Sequence, residues 1–259
     1  MADFLDVLAQ DAKETIKEGY YEVSTQIPTP AISLKRMILE SKNAPIIAEI
    51  KAASPSLGII RSNFSADEIA RTMKNSGAIG ISVLTEPKHF EGSLAALCEV
   101  RGAVNLPILM KDIFISPIQL DAAFKLGANV ILLIEALFKR RYFEYDIHEM
   151  IAQAHSKNLE VLLETHNQDE FHFAITTEAD LIGINNRDLG TLKVDLEVTK
   201  RILEKNVPSE KIIVSESGIK TPADLRFLHN CGANAFLIGS SIMMAKDIEN
   251  KVKEFVQAL

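Results

Sequence analysis

Glu49, Lys51, Lys111, Glu164, Arg187 and Glu216 each stand at or just past the end of a short apolar run. Ammonium, guanidinium and carboxylate groups brought to one place can pass protons to and from a bound molecule. Glu49 and Lys51 alternate with Ile50, so on a strand both point to the same side. Charges on an apolar interior face are costly unless they are paired or used. Two further corners, Ser215-Glu-Ser-Gly218 and Gly239-Ser-Ser241, suit an anion, because glycine lets backbone N–H groups approach closely. Taken singly, these features are ion pairs and capped turns. Together they describe proton transfers on a phosphorylated substrate.

Such a set needs a scaffold that delivers one group per element to a common edge. Eight apolar runs finish at Lys51, Thr85, Lys111, Glu135, Glu164, Asn185, Ser217 and Gly239, one corner about every 27 residues, which is room for a strand and a helix. The strands are expected at 45–51, 79–84, 107–111, 129–134, 160–164, 181–185, 211–215 and 235–238. Most lack period-two alternation, as befits strands buried on both faces. Helical patterns fill the gaps, several opened by a cap or an early proline, as at Ser116-Pro117 and Thr221-Pro222. Gly77-Ala, Gly127-Ala and Gly232-Ala recur between a helix and the next strand, a weak internal repeat. The fold class expected is α/β, a (β/α)8 TIM barrel with its chemistry at the C-terminal strand ends. Residues 1–259 are read as one barrel domain, with 1–44 an N-terminal helical extension containing an amphipathic helix over 3–18 and a shorter one over 32–39.

Length suits that barrel, and 47% apolar with 24% charged residues is a globular balance. A net charge of −7 gives no reason to expect nucleic acid, so an anionic ligand needs local cations. The cysteines, Cys98 and Cys231, are expected to be reduced thiols. The acidic N-terminus does not resemble a signal peptide, and the longest apolar stretch, 128–134, is too short to span a bilayer. A cytoplasmic protein without membrane attachment is expected.

Ile47-Ala-Glu-Ile-Lys51, Ser54-Pro-Ser56, Leu109-Met-Lys-Asp112, Glu164-Thr-His166, Gly183-Ile-Asn-Asn-Arg187, Ser215-Glu-Ser-Gly-Ile219 and Ile238-Gly-Ser240 closely resemble the indole-3-glycerol phosphate synthase family, over essentially the whole chain. The resemblance implies ring closure, decarboxylation and dehydration of 1-(2-carboxyphenylamino)-1-deoxyribulose 5-phosphate in tryptophan biosynthesis, without metal or organic cofactor. By that resemblance Lys111 is the general acid on the ketone oxygen. Lys51 pairs with the substrate carboxylate or assists as an acid in the dehydration. Glu164 transfers a proton as water leaves, and Glu49 helps position the reacting groups. Asn185 and Arg187 hold the intermediate, and Glu216 contacts substrate or orients the lysines. Ser54, Ser217, Gly218, Gly239 and Ser240 bind phosphate. The partner implied is this small molecule, the chain acting as a monomer, with association with other enzymes of the pathway left open. One departure is Leu57, where relatives often carry a basic or small residue.

Phe90, after the second strand, is open to two readings, stacking on the substrate ring or packing in its loop. His166 is read as a solvated loop residue and Lys139-Arg-Arg141 as a solvated face. The six histidines show no metal-ligand spacing. A phosphoribosylanthranilate isomerase would need a thiol partner, and neither cysteine follows a strand. A non-catalytic metabolite-binding barrel could lose a rim lysine or glutamate, and this chain keeps them all.

Overall fold

A computed structural model describes residues 3–143, 145–204 and 210–259. Residues 1 and 2 of the expected extension lie outside the described residues. Eight parallel strands close into a barrel: β1 (Ile46–Ile50), β2 (Gly80–Leu84), β3 (Ile108–Lys111), β4 (Val130–Ile134), β5 (Glu160–Thr165), β6 (Leu181–Asn185), β7 (Ile212–Glu216) and β8 (Ala235–Ile238), with β8 pairing back to β1. All eight fall within a residue or two of the expected spans; the largest shift is in β7, which includes Glu216 rather than stopping before it. An outer helix follows every strand: Ala66–Asn75, Leu94–Ala103, Pro117–Lys125, Ile147–Ser156, Gln168–Ala174, Glu197–Leu203, Pro222–Asn230 and Ile248–Val256.

Strand alternation sorts the core into two layers. Ile46, Ala48, Ile50, Ile108, Met110 and Leu163 face the helices and join one large buried cluster. Ile47, Leu109, Leu132, Leu162, Leu181, Val214 and Leu237 face the barrel axis and join a second. Continuing the inward register two residues at a time leads from Ile47 to Glu49, Leu109 to Lys111, Leu162 to Glu164, Val214 to Glu216 and Leu237 to Gly239. The period that buries the apolar layer therefore lifts the charged residues to the barrel mouth.

The N-terminal extension splits between the two barrel ends. Helix Phe4–Lys17 starts at an Asp3–Asp6 capping box and buries Leu5, Leu8, Ala9 and Ala12 against the mouth side. Helix Leu34–Glu40 buries Leu34 and Ile38 at the opposite end, where the Leu34 N–H donates to Glu160 at 2.8 Å, at the start of β5. Between them Tyr21 donates its hydroxyl to the buried Asp112 at 2.8 Å, fastening the extension to the end of β3. Burial of the Asp112 carboxyl pushes its pKa up to about 6.

Candidate active site

A cavity of about 430 Å³ opens at the C-terminal ends of the strands, and every site residue expected from the sequence lines it. At its centre is Lys111. Its Nζ lies 2.8 Å from Glu216 Oε2 and 3.3 Å from Glu164 Oε2. Burial alone would lower the lysine pKa, but the carboxylates of Glu216, Glu164 and Glu49 outweigh it and hold the ammonium above its ordinary value. Glu164 and Glu216 respond in opposite senses to the shared cation. Burial would raise Glu164, yet Lys111, His166 and the Asn185 amide (Nδ2 to Oε1, 3.0 Å) hold it well below the usual carboxylate range. Glu216 is raised to about 7 by burial and by the neighbouring Glu164 charge, against the pull of Lys111. One site thus holds a firmly ionised carboxylate, a carboxyl titrating near neutrality and a firmly charged ammonium.

Gly183 makes this packing possible. A Cβ there would collide with Glu216 Oε1 and lie 3.3 Å from Glu164 Cα, so a side chain at this point of β6 would displace the Glu216 carboxylate.

Lys51 donates to Glu49 Oε1 at 2.6 Å on the opposite wall, and both overlie Gly239. Gly239, Ser240, Ser217 and Gly218 form a continuous wall of the cavity beside that ammonium. Gly218 (φ 87°) and Ser217 (φ 66°) both take left-handed backbone, a conformation unfavourable for serine. Ser54 sits on a small hairpin, Ala53–Ser54 paired with Gly58–Ile59, and its buried hydroxyl has no partner among the described residues. Arg187 spans the mouth: its Nη1 donates to Ser56 Oγ and to the Leu192 carbonyl, each at 2.9 Å. Burial lowers its pKa, opposed by the Glu49 charge.

The floor and roof are apolar. Leu84, Leu132, Ile134 and Leu237 form the floor, while Phe4 and Leu8 project from the N-terminal helix over the mouth with Phe90 beside them. Phe90 is set by a tight turn in which the backbone N–H groups of Lys88, His89 and Phe90 all donate to the buried Glu86 carboxylate.

The indole-3-glycerol phosphate synthase family model matches residues 5–255. The chain is 43% identical over 220 residues to the indole-3-glycerol phosphate synthase of Caldanaerobacter subterraneus subsp. tengcongensis, covering 85% of this chain and 82% of that one. It is 36% identical to that of Aliarcobacter butzleri, across 98% of this chain and 99% of that one. This chain belongs to the indole-3-glycerol phosphate synthase family. Among solved structures, thiamine phosphate pyrophosphorylase from Pyrococcus furiosus superimposes with a TM-score of 0.61 at 16% identity, over 87% of this chain and 97% of that one, a likeness of fold alone.

Two readings of the sequence need correction. Arg140 does not lie on a merely solvated face: its guanidinium grips Asp3 (2.6 and 2.7 Å) and Asp6 (2.8 Å) and pins the N-terminal helix over the cavity. His166 is not a solvated loop residue. Its side chain is 13% exposed and lies between Glu164 and Glu170. Phe4, Leu8 and Glu86 were missed as site residues. The first two are ordinary apolar positions of an amphipathic helix, and only the docking of that helix makes them part of the site. Glu86 could have been suspected from its place one residue past the end of a run.

Proposed function

We propose a division of labour for the reaction of this family, in which 1-(2-carboxyphenylamino)-1-deoxyribulose 5-phosphate closes its five-membered ring and loses carbon dioxide and water to give indole-3-glycerol phosphate. The ring carbon bearing the carboxylate attacks the ketone carbon, and Lys111 donates a proton to the ketone oxygen as that bond forms. Breaking the bond to the carboxylate returns its electrons to the aromatic ring. Lys51 pairs with the carboxylate beforehand or supplies the proton on which the hydroxyl leaves as water. Glu164 takes the proton lost from the adjacent carbon. Glu49 holds Lys51, and Glu216 orients Lys111 and contacts substrate. Asn185 holds Glu164, and Arg187 ties the hairpin carrying Ser54 across the mouth. Ser54, Ser217, Gly218, Gly239 and Ser240 receive the phosphate beside the Lys51 ammonium, and Phe90, Phe4 and Leu8 cover the aromatic ring.

The observation that carries this reading is the triad of Lys111 between Glu164 and Glu216 in a cavity with an apolar floor. The ammonium is in the form that has a proton to give, and the carboxylate in the form that can receive one. The apolar floor also suits loss of a carboxylate as neutral carbon dioxide. We further propose that the chain works as a monomer in the cytoplasm; among the described residues no helix is long and apolar enough to cross a membrane. The deciding experiment is Lys111→Ala, assayed by the fluorescence of the indole product. A general acid contributes about 10²–10⁴ in rate, so kcat falls by that factor with an unchanged circular dichroism spectrum. An unaltered kcat removes Lys111 from the role.

A further inference from the structure

His166 lies two residues beyond Glu164 on the far side of that carboxylate from Lys111. Its Nε2 is 3.1 Å from Glu164 Oε1, and its Nδ1 is 3.2 Å from Glu170 Oε2. Both ring nitrogens thus face carboxylate oxygens. Nδ1 hydrogen-bonds to Glu170, whereas the approach of Nε2 to Glu164 is a charge contact rather than an aligned hydrogen bond; two carboxylates this close to the ring favour the imidazolium. Glu170 is itself fixed, accepting the His166 backbone N–H at 2.8 Å, while its own N–H donates to the N-cap side chain of Asn167 at 3.0 Å. The ring therefore has a rigid seat on the helix side. On the cavity side, His166 and Asn185 both engage Glu164 Oε1, leaving Oε2 turned toward Lys111.

We propose that His166 is a positioning residue for this reaction: held by Glu170, it sits as a cation against one oxygen of Glu164 and keeps that carboxylate ionised, so that the other oxygen, turned toward Lys111 and the cavity, takes the proton released in the dehydration. This rests on the reading of Glu164 as the proton acceptor. In that step the C–H bond next to the departing hydroxyl breaks, its electron pair forms the ring double bond, the proton goes to Glu164, and the hydroxyl leaves as water on a proton from an ammonium.

The electrostatic surroundings favour the cation from every side. Glu164 faces the ring from β5 and Glu170 from the following helix. Glu135, at the end of β4, and Asp188, in the loop after β6, lie close enough to feel its charge. Of the cations nearby, Lys111 pairs with Glu164 and Lys139 acts on Glu135. Burial alone would lower the imidazole pKa, but the two glutamates raise it to about 10.

The test is His166→Gln, whose amide can still donate one hydrogen bond but bears no charge. Losing a neighbouring cation raises a carboxyl pKa by about 1–3 units. The acid limb set by Glu164 therefore moves up by at least about one pH unit; at neutral pH, where Glu164 stays ionised, the lost positioning contact lowers kcat about tenfold, and KM stays within about twofold. In a Glu164→Gln background the same substitution has no further effect. Unchanged kcat and acid limb in His166→Gln, or an equal loss in both backgrounds, overturns the inference. A normal rate in Glu164→Gln alone overturns the reading of Glu164 beneath it. Histidine ring NMR of the unaltered enzyme gives an independent answer: His166 is doubly protonated at pH 8, and a neutral ring there refutes the proposal.

Discussion

Gly183→Ala tests the tightest packing in the site with a single methyl group. Its Cβ would fall well inside the 3.4 Å at which ordinary contact with Glu216 Oε1 begins. Glu216 is 1% exposed, and its carboxylate must move on the order of 1 Å to restore a normal separation. Oε2 of the same carboxylate moves with it, which disturbs the 2.8 Å contact with Lys111. Losing a hydrogen bond to a charged group costs about 1.5–3 kcal/mol, equivalent to roughly a 10- to 150-fold change in a rate that depends on it. The overpacking adds about 1–3 kcal/mol of lost fold stability. Steady-state kinetics and urea unfolding on the same preparation separate the two. The expected result is a fall in kcat within that range, a KM little changed because the wall proposed to hold phosphate is untouched, and a lower unfolding midpoint. A variant with unaltered kcat and midpoint would mean that Glu216 has slack, and that the Lys111–Glu216 contact does not bear on turnover.

Ser240→Asp places a carboxylate on the wall assigned to phosphate; KM rises at least tenfold, since like-charge juxtaposition costs several kcal/mol, and an unchanged KM by the same assay moves the phosphate elsewhere. Asp112 supplies a pH signature of stability. Its folded pKa is raised from 3.8 to about 6, so its protonated form stabilises the fold below pH 3.8 and that contribution is lost as pH rises through 6. Asp112→Asn, followed by urea midpoints from pH 4 to 7, flattens this part of the profile; an unaltered slope assigns the dependence to other groups.

The barrel was legible because its signals are local and repeated. Each strand is a short apolar run, and the two-residue period alone sends Glu49, Lys51, Lys111 and Glu164 inward. The glycine- and serine-lined wall of the cavity was legible on consecutive late strands. The roof was not. Phe4 and Leu8 join the site only because Arg140, more than 130 residues away, holds Asp3 and Asp6, and an arginine inside a basic run gives no sign of its partner. His166 was misread because its environment depends on two spacings at once. It shares a strand face with Glu164 two residues back and meets Glu170 four residues on, at the third position of a helix capped by Asn167. Either spacing alone is commonplace.

The cavity carries Glu49, Glu164 and Glu216 against Lys51, Lys111 and Arg187, and Glu216 titrates at about 7. A guest bearing both a phosphate and a carboxylate enters a chamber already near charge balance. Its negative field must push the Glu216 equilibrium toward the acid form. Occupancy is therefore coupled to capture of a hydrogen ion from the medium. Calorimetric titration in buffers of differing ionisation heat should register that uptake around neutrality, and Glu216→Gln should abolish it.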